Sequence, residues 1–267
     1  MTLESGKPIR ESRGEVQYGA NFIRWFAEEA KHLRGQTITS LSSPSARQLL
    51  TIYQPVGVVG LISSWNFPIA MITRKMGAAL SVGCTCVLKP PSATPISALY
   101  LALLAEKAGI PAGVFNVVSC TSKNGKEVGK ALLESDDVRA LSFTGSTSVG
   151  QYLYRESSGS MKKLGLELGG NAPFLVFSDC VLDDAVSGAI ASKFRNSGQT
   201  CICANRFLVE DSIYEEFTAR LTTRVRDLKV CHGLEEECEI GPLINKEAVE
   251  SCEEKVRDVG AGSGGEL

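Results

Sequence analysis

From Val56 onward the chain alternates short apolar runs with helical patterns, and this alternation constrains the fold more than any other feature. "VGVVGLI" reads as a buried strand, "IAMITRKMGAALSVG" as a helix ending at Gly83, "CTCVLK" as a strand and "ISALYLALLAEKAG" as a helix ending at Gly109. "VFNVVS", "KEVGKALLES", "VRALSFT" and "SVGQYLYRESSG" continue the same order of strand and helix. A glycine after the last apolar position suits the left-handed backbone that closes a helix. Strands alternating with helices imply an α/β fold, a parallel sheet with helices on both faces. In such sheets ligands bind outside the carboxyl ends of the strands. The unusual residues stand at those ends: "SSWNFP" after the first strand, "KPPSATP" after the second and "GSTSVG" after the fourth.

The flanks are less regular. Residues 15–34 place Phe22, Phe26 and Ala30 at helical spacing among charges, an amphipathic helix. "TITSLSSPSARQLLTIYQPVG" reads as a hairpin or an exposed arm near 37–54. In "LDDAVSGAIASKFRNSG" a second unit begins, with Leu182, Val186, Ala189, Ile190 and Phe194 on one helix face. The boundary is expected near Gly169 and Gly170, giving domains 1–169 and 170–267; the tail "VGAGSGGEL" carries no helix or strand signal.

Composition bounds the partners. With 28 Lys plus Arg against 30 Asp plus Glu, the formal charge of -2 provides no global field for nucleic acid or an anionic membrane, so a small molecule is expected. No apolar run approaches the roughly 18 residues of a membrane span. Nine scattered cysteines and a polar beginning point to reduced thiols instead of a disulfide framework. The spacing of Cys201 and Cys203, with only His32 and His232 as histidines, argues against zinc, and no metal is expected.

Taken singly, each motif has a plain alternative. Gly145 and Gly150 of "GSTSVG" open a helix in a way that lets backbone N–H groups approach a phosphate, or they form an ordinary strand-to-helix turn; Gln151 stands where a Walker lysine is required. Lys89, before two prolines, aims its ammonium at a ribose or phosphate, or is solvated. Asn66 presents an amide to a developing oxyanion, or caps the following helix. Glu167, in an apolar strand, is expected to be desolvated and so suited to general-base work, or is paired with a cation. Cys201 offers a nucleophilic thiol, or is an inert buried cysteine.

Together, "SSWNFP", "VLKPPSATP", "FTGSTSVG", "LELGGNAP" and "GQTCICANRF", in this order, resemble the aldehyde dehydrogenase superfamily. "AMITRKMGAAL", "FNVVSC" and "ASKFRNSGQTC" place the resemblance in its succinate-semialdehyde branch. The resemblance implies a Rossmann-like dinucleotide-binding domain followed by the start of an α/β catalytic domain, and NAD- or NADP-dependent oxidation of an aldehyde to an acid. It assigns Cys201 as nucleophile, Glu167 as general base and Asn66 as oxyanion donor. It assigns Ser64, Trp65, Lys89, Ser92, Gly145, Ser146, Gly150 and Leu168 to the cofactor. Arg74, on the helix after Asn66, and Arg195, six residues before Cys201, are expected to hold the far carboxylate of the aldehyde, or else each caps a helix or pairs with a surface acid. It further implies a reversible Cys201–Cys203 disulfide, with small-residue packing as the alternative for Cys203, a homotetramer, and a mitochondrial matrix or else cytoplasmic location.

Two positions depart from the family pattern. Ser64 replaces a proline, which is expected to loosen the loop carrying Asn66, and Ser92 replaces the acidic residue that many NAD-preferring members use to reject a 2′-phosphate. Full members are nearly twice as long, so a fragment or incomplete gene model is expected, with a non-catalytic binding or structural protein as the competing function.

Overall fold

The computed structural model describes residues 1–40 and 47–260. In chain order the helices and strands are α1 (Thr2–Ser5), α2 (Ile9–Glu29), β1 (Thr37–Ser40), β2 (Arg47–Leu50), β3 (Val58–Ile62), α3 (Ala70–Ser81), β4 (Thr85–Lys89), α4 (Pro95–Lys107), β5 (Phe115–Val117), α5 (Gly125–Glu134), β6 (Val138–Thr144), α6 (Thr147–Glu156), β7 (Lys163–Glu167), β8 (Ala172–Val176), α7 (Leu182–Phe194), β9 (Ala204–Val209), α8 (Tyr214–Arg226) and α9 (Lys246–Gly260). They form two compact units, residues 15–168 and residues 1–14 with 169–267.

The first unit is built on a five-stranded sheet of order β5-β4-β3-β6-β7, parallel throughout. Successive strands step from β3 toward β5 and then resume on the other side at β6, so the strand order reverses beside β3. Parallel pairing leaves no polar face, and the strands are apolar on both sides. On one face Ile72, Met76 and Ala79 of α3 and Ala98 of α4 pack on Val59, Leu61, Cys86 and Leu88. On the other, Leu132 and Leu133 of α5 and Leu153 of α6 pack on Ile62, Val138, Leu141 and Phe143. The α/β reading is thus met element by element. β1 and β2 pair antiparallel, a hairpin with Ile38, Leu49 and Leu50 exposed; its residues 41–46 lie outside the described residues, as does the tail after Gly260.

In the second unit β8 and β9 pair in parallel around α7, and Val176, Val186, Ala189 and Phe217 form the core. The expected domain 1–169 needs correction at its beginning: residues 1–14 group with 169–267. The reason is local bonding. Ile9 N donates to Gly233 O at 2.7 Å, and the Glu11 carboxylate accepts from Asn196 N at 2.8 Å. The amphipathic helix expected at 15–34 is α2, which begins earlier, at Ile9, and gives way after Glu29 to a 3-10 turn, Ala30–His32. Its polar first residues hid the start, because their partners are far away in sequence.

Candidate active site

The carboxyl ends of β3 and β6 lie side by side at the point where the strand order reverses. There the sheet unit forms a cavity of about 700 Å³, lined by Ser64 and Trp65 after β3, Lys89 and Ser92 at and beyond the end of β4, Gly125 and Lys126 at the start of α5, and Gly145 and Ser146 after β6. Four segments far apart in sequence supply it because parallel strands deliver all their following loops to one edge. Ser63 Oγ and Thr144 Oγ1 also line this cavity, are buried, and have no hydrogen-bond partner within the protein. A buried hydroxyl left unpaired is costly, and both belong to residues that border the cavity.

The remaining geometry separates contact from packing. Ser146 caps α6 by accepting from Val149 N at 3.4 Å. Gly150 faces Leu168, whose side chain occupies the space a Cβ would need, and neither residue lines the cavity. The second glycine of the motif thus seats α6 on the chain after β7. Lys89 extends past Gly125, where a Cβ would meet Lys89 Cε at 3.5 Å, and Nζ donates to Pro90 O at 3.2 Å. The pocket residues fit a dinucleotide: a lysine, a helix N-terminus, an indole and two unpaired hydroxyls at a switch point.

Asn66 is not the cap of α3. That helix starts at Ala70, and the buried Glu15 carboxylate of α2 accepts from Ile69 N at 2.8 Å and Ala70 N at 3.2 Å. Asn66 Oδ1 instead accepts from Ser64 Oγ at 2.7 Å. The expectation that Ser64 loosens this loop is therefore corrected, since its hydroxyl ties down the Asn66 side chain, a bond a proline could not make.

Glu167 ends β7, and its side chain is 60% exposed. The expected desolvation is absent; Arg74 Nη2 lies 3.7 Å from its carboxylate, so the plainer alternative of a paired acid holds in this unit. Next to Arg74, Lys75 is 7% exposed and donates from Nζ to Ser142 Oγ at 2.8 Å. Burial first, and then Arg74, push its ammonium down to about 8, against the pull of Glu167. Sequence reading missed Lys75 because a lysine on an amphipathic helix normally faces solvent, and missed Glu15 because a cap delivered by another helix has no local signature.

In the second unit Cys201 is exposed, following a turn at Arg195–Gly198 in which Asn196 (φ 50) and Ser197 (φ 55) are left-handed. Such residues cost roughly 1–2 kcal/mol each and persist only when held. Here Glu11 takes the Asn196 amide, Ser197 Oγ donates to Gly241 O at 2.9 Å, and Gln199 Oε1 accepts from Ile244 N at 2.9 Å. Gly170 passes beside the segment carrying Cys201: a Cβ there would sit 3.0 Å from Cys201 O. Cys203 is buried, accepts from Thr200 Oγ1 at 2.9 Å, and donates to Lys193 O at 3.4 Å. Arg195 is exposed and feels the Glu11 carboxylate, which burial, the largest influence, raises above the usual range. Among the described residues no group of three or more His, Cys, Asp or Glu is placed to hold a metal.

A parallel sheet with a cavity at its switch point, followed by an α/β unit that exposes a cysteine just after a held, strained turn, defines a protein of the dinucleotide-binding α/β class. The model of the aldehyde dehydrogenase family matches residues 1–264, and the chain belongs to that family. It is 54% identical over 258 residues to a mitochondrial succinate-semialdehyde dehydrogenase of Oryza sativa subsp. japonica, covering 97% of this chain and 48% of the relative. The same identity relates it to a glutarate-semialdehyde dehydrogenase of Pseudomonas putida, covering 97% and 53%. A crystal structure of an NADP-dependent enzyme of E. coli superposes with a TM-score of 0.93 at 53% identity, covering 97% of this chain and 53% of that one. The chain thus spans about half the length of the relatives it matches.

Proposed function

We propose that this chain carries the cofactor site and the nucleophile of an NAD(P)-dependent enzyme that oxidises a short aldehyde with a carboxylate at its far end, succinate semialdehyde first. The observation that carries the reading is the switch-point cavity, where two buried hydroxyls lack partners and three separated motifs converge with the start of α5. Relatives named for succinate and for glutarate semialdehyde support the substrate class.

In this reading the Cys201 thiolate attacks the aldehyde carbon and the Cys201 backbone N–H meets the resulting oxyanion, while the family relation gives Asn66 the role of side-chain oxyanion donor. A nicotinamide cofactor held by Lys89, Ser92, Gly145 and Ser146 would supply the hydride acceptor that the oxidation requires. Glu167 takes a proton from the water that hydrolyses the thioester, with its exposed carboxylate open to that water. Arg74 and Arg195 hold the far carboxylate, since a guanidinium matches a carboxylate through paired hydrogen bonds. Because Arg74 already lies beside Glu167, an anionic substrate that recruits Arg74 also releases the base from its ion pair. Ser92 lines the cavity without repelling a 2′-phosphate, so NADP is accepted as well as NAD. Tetramer formation and a mitochondrial or cytoplasmic location rest on the family relation alone.

Binding of NADP+ and NAD+ to the 267-residue chain, followed by calorimetry, tests the site. Saturable binding that weakens in Lys89→Met and in Thr144→Val is expected. No saturable binding by either nucleotide to the folded chain would sink the reading.

A further inference from the structure

Cys201 and Cys203, two positions apart, have different surroundings, Cys201 being exposed while Cys203 is buried against Lys193 O. A different pair is brought together. Cys238 is 1% exposed and donates to Cys231 O at 3.2 Å and to Ile240 O at 3.3 Å. Cys231 N donates to that same Ile240 O at 3.1 Å, and Val230 and Ile240 form a β-bridge. The Cys238 sulfur thus sits against the backbone of residue 231 itself, with the chain on both sides held by hydrogen bonds.

We propose that Cys231 and Cys238 form a dithiol modification site, which a small-molecule disulfide oxidises to an intramolecular disulfide closing the 231–238 loop. In the first step the Cys231 thiolate attacks one sulfur of the reagent, forming a mixed disulfide and expelling one thiolate. Cys238 then attacks the Cys231 sulfur, expelling the second; one reagent disulfide is reduced to two thiols, and the protein loses two hydrogens. The loop that closes is the platform for the start of the chain: Gly233 O accepts from Ile9 N, and the Glu236 carboxylate receives both Arg13 Nη groups at 2.8 Å.

The surroundings set a recognisable rate. Burial and then Cys238 push the Cys231 thiol up to about 11, with Glu235 acting the same way and Lys229 opposing. Lys229 is itself engaged, its ammonium by Glu237 and its backbone amide by Glu239. At neutral pH the site is therefore slow, and its rate follows the thiolate fraction, rising about tenfold per pH unit between roughly pH 7 and 10.

The test treats the chain carrying Cys201→Ser and Cys252→Ser, which removes the exposed thiols, with oxidised glutathione across that pH range, followed by peptide mapping. The expected product lacks two hydrogens on the segment holding Cys231 and Cys238 and reverts in dithiothreitol. Cys238→Ala should stop the reaction at a glutathione adduct on Cys231, and Cys231→Ala should abolish it while circular dichroism stays unchanged. A glutathione adduct on Cys231 that persists with Cys238 present would overturn the proposal, as would a link made by Cys203, no reaction at Cys231, or a rate that levels off below pH 9.

Discussion

Replacing Lys75 by methionine should stabilise the sheet unit at neutral pH, and the gain should disappear as the solution becomes alkaline. Lys75 is 7% exposed and its ammonium is pushed from 10.5 down to about 8 by burial and then by Arg74. Between those two values the unfolded chain holds a proton that the folded chain has released, so stability rises with pH across this window. Below about pH 8 both states are charged and the full cost of burying the ammonium is present; above 10.5 neither is charged and the cost is gone. The gap corresponds to about 3 kcal/mol, at about 1.4 kcal/mol per pH unit. Methionine keeps a long unbranched chain but gives up the bond to Ser142 Oγ, a loss of about 1 kcal/mol. Lys75→Met should therefore be more stable by about 2 kcal/mol at pH 7, and most of that advantage should vanish by pH 10. Urea unfolding at several pH values measures it, and tryptophan emission isolates the right unit, because the chain's two tryptophans, Trp25 and Trp65, both lie in residues 15–168. A difference between the two proteins that stays constant with pH would refute the argument that a buried charge is the source.

Other outcomes are equally specific. Glu15→Ala should cost about 2 kcal/mol by the same emission assay, because two amides at the start of α3 lose their acceptor, while Glu15→Gln, which keeps one oxygen, should cost less. In the full-length protein, Arg195→Ala should lower kcat/KM about ten- to hundredfold for succinate semialdehyde and leave an uncharged aldehyde of similar length nearly unaffected; equal losses would make Arg195 structural. Ser92→Glu should shift cofactor preference toward NAD, and an unchanged ratio removes Ser92 from the cofactor argument. After peroxide, the full-length enzyme should recover activity in dithiothreitol through a Cys201–Cys203 link that Cys203→Ala cannot make; since Cys203 is buried and bonded to Lys193 O, this requires the loop to repack.

Much of the arrangement is local and so legible in the order of residues. Strand and helix periods are properties of ten or so neighbouring positions, and the apolar runs ending at Ile62, Lys89 and Thr144 forecast three sheet strands and the edge at which their loops gather. The motif residues Ser64, Trp65, Lys89, Ser92, Gly145 and Ser146 fall at that edge because parallel strands with helical crossovers admit no other place for them. What depends on contacts between distant segments was invisible. Glu15 caps a helix more than fifty positions away, residues 1–14 join the unit that resumes at Gly169, and Arg74 rather than burial surrounds Glu167. Gly150 faces Leu168 instead of the cavity, and Cys231 meets Cys238 while the closely spaced Cys201 and Cys203 do not share surroundings. Sequence fixes periodicity through local backbone geometry; which charge is desolvated, which amide is capped and which thiols meet are set by long-range packing, where a side chain's chemistry depends on neighbours that only the folded chain provides.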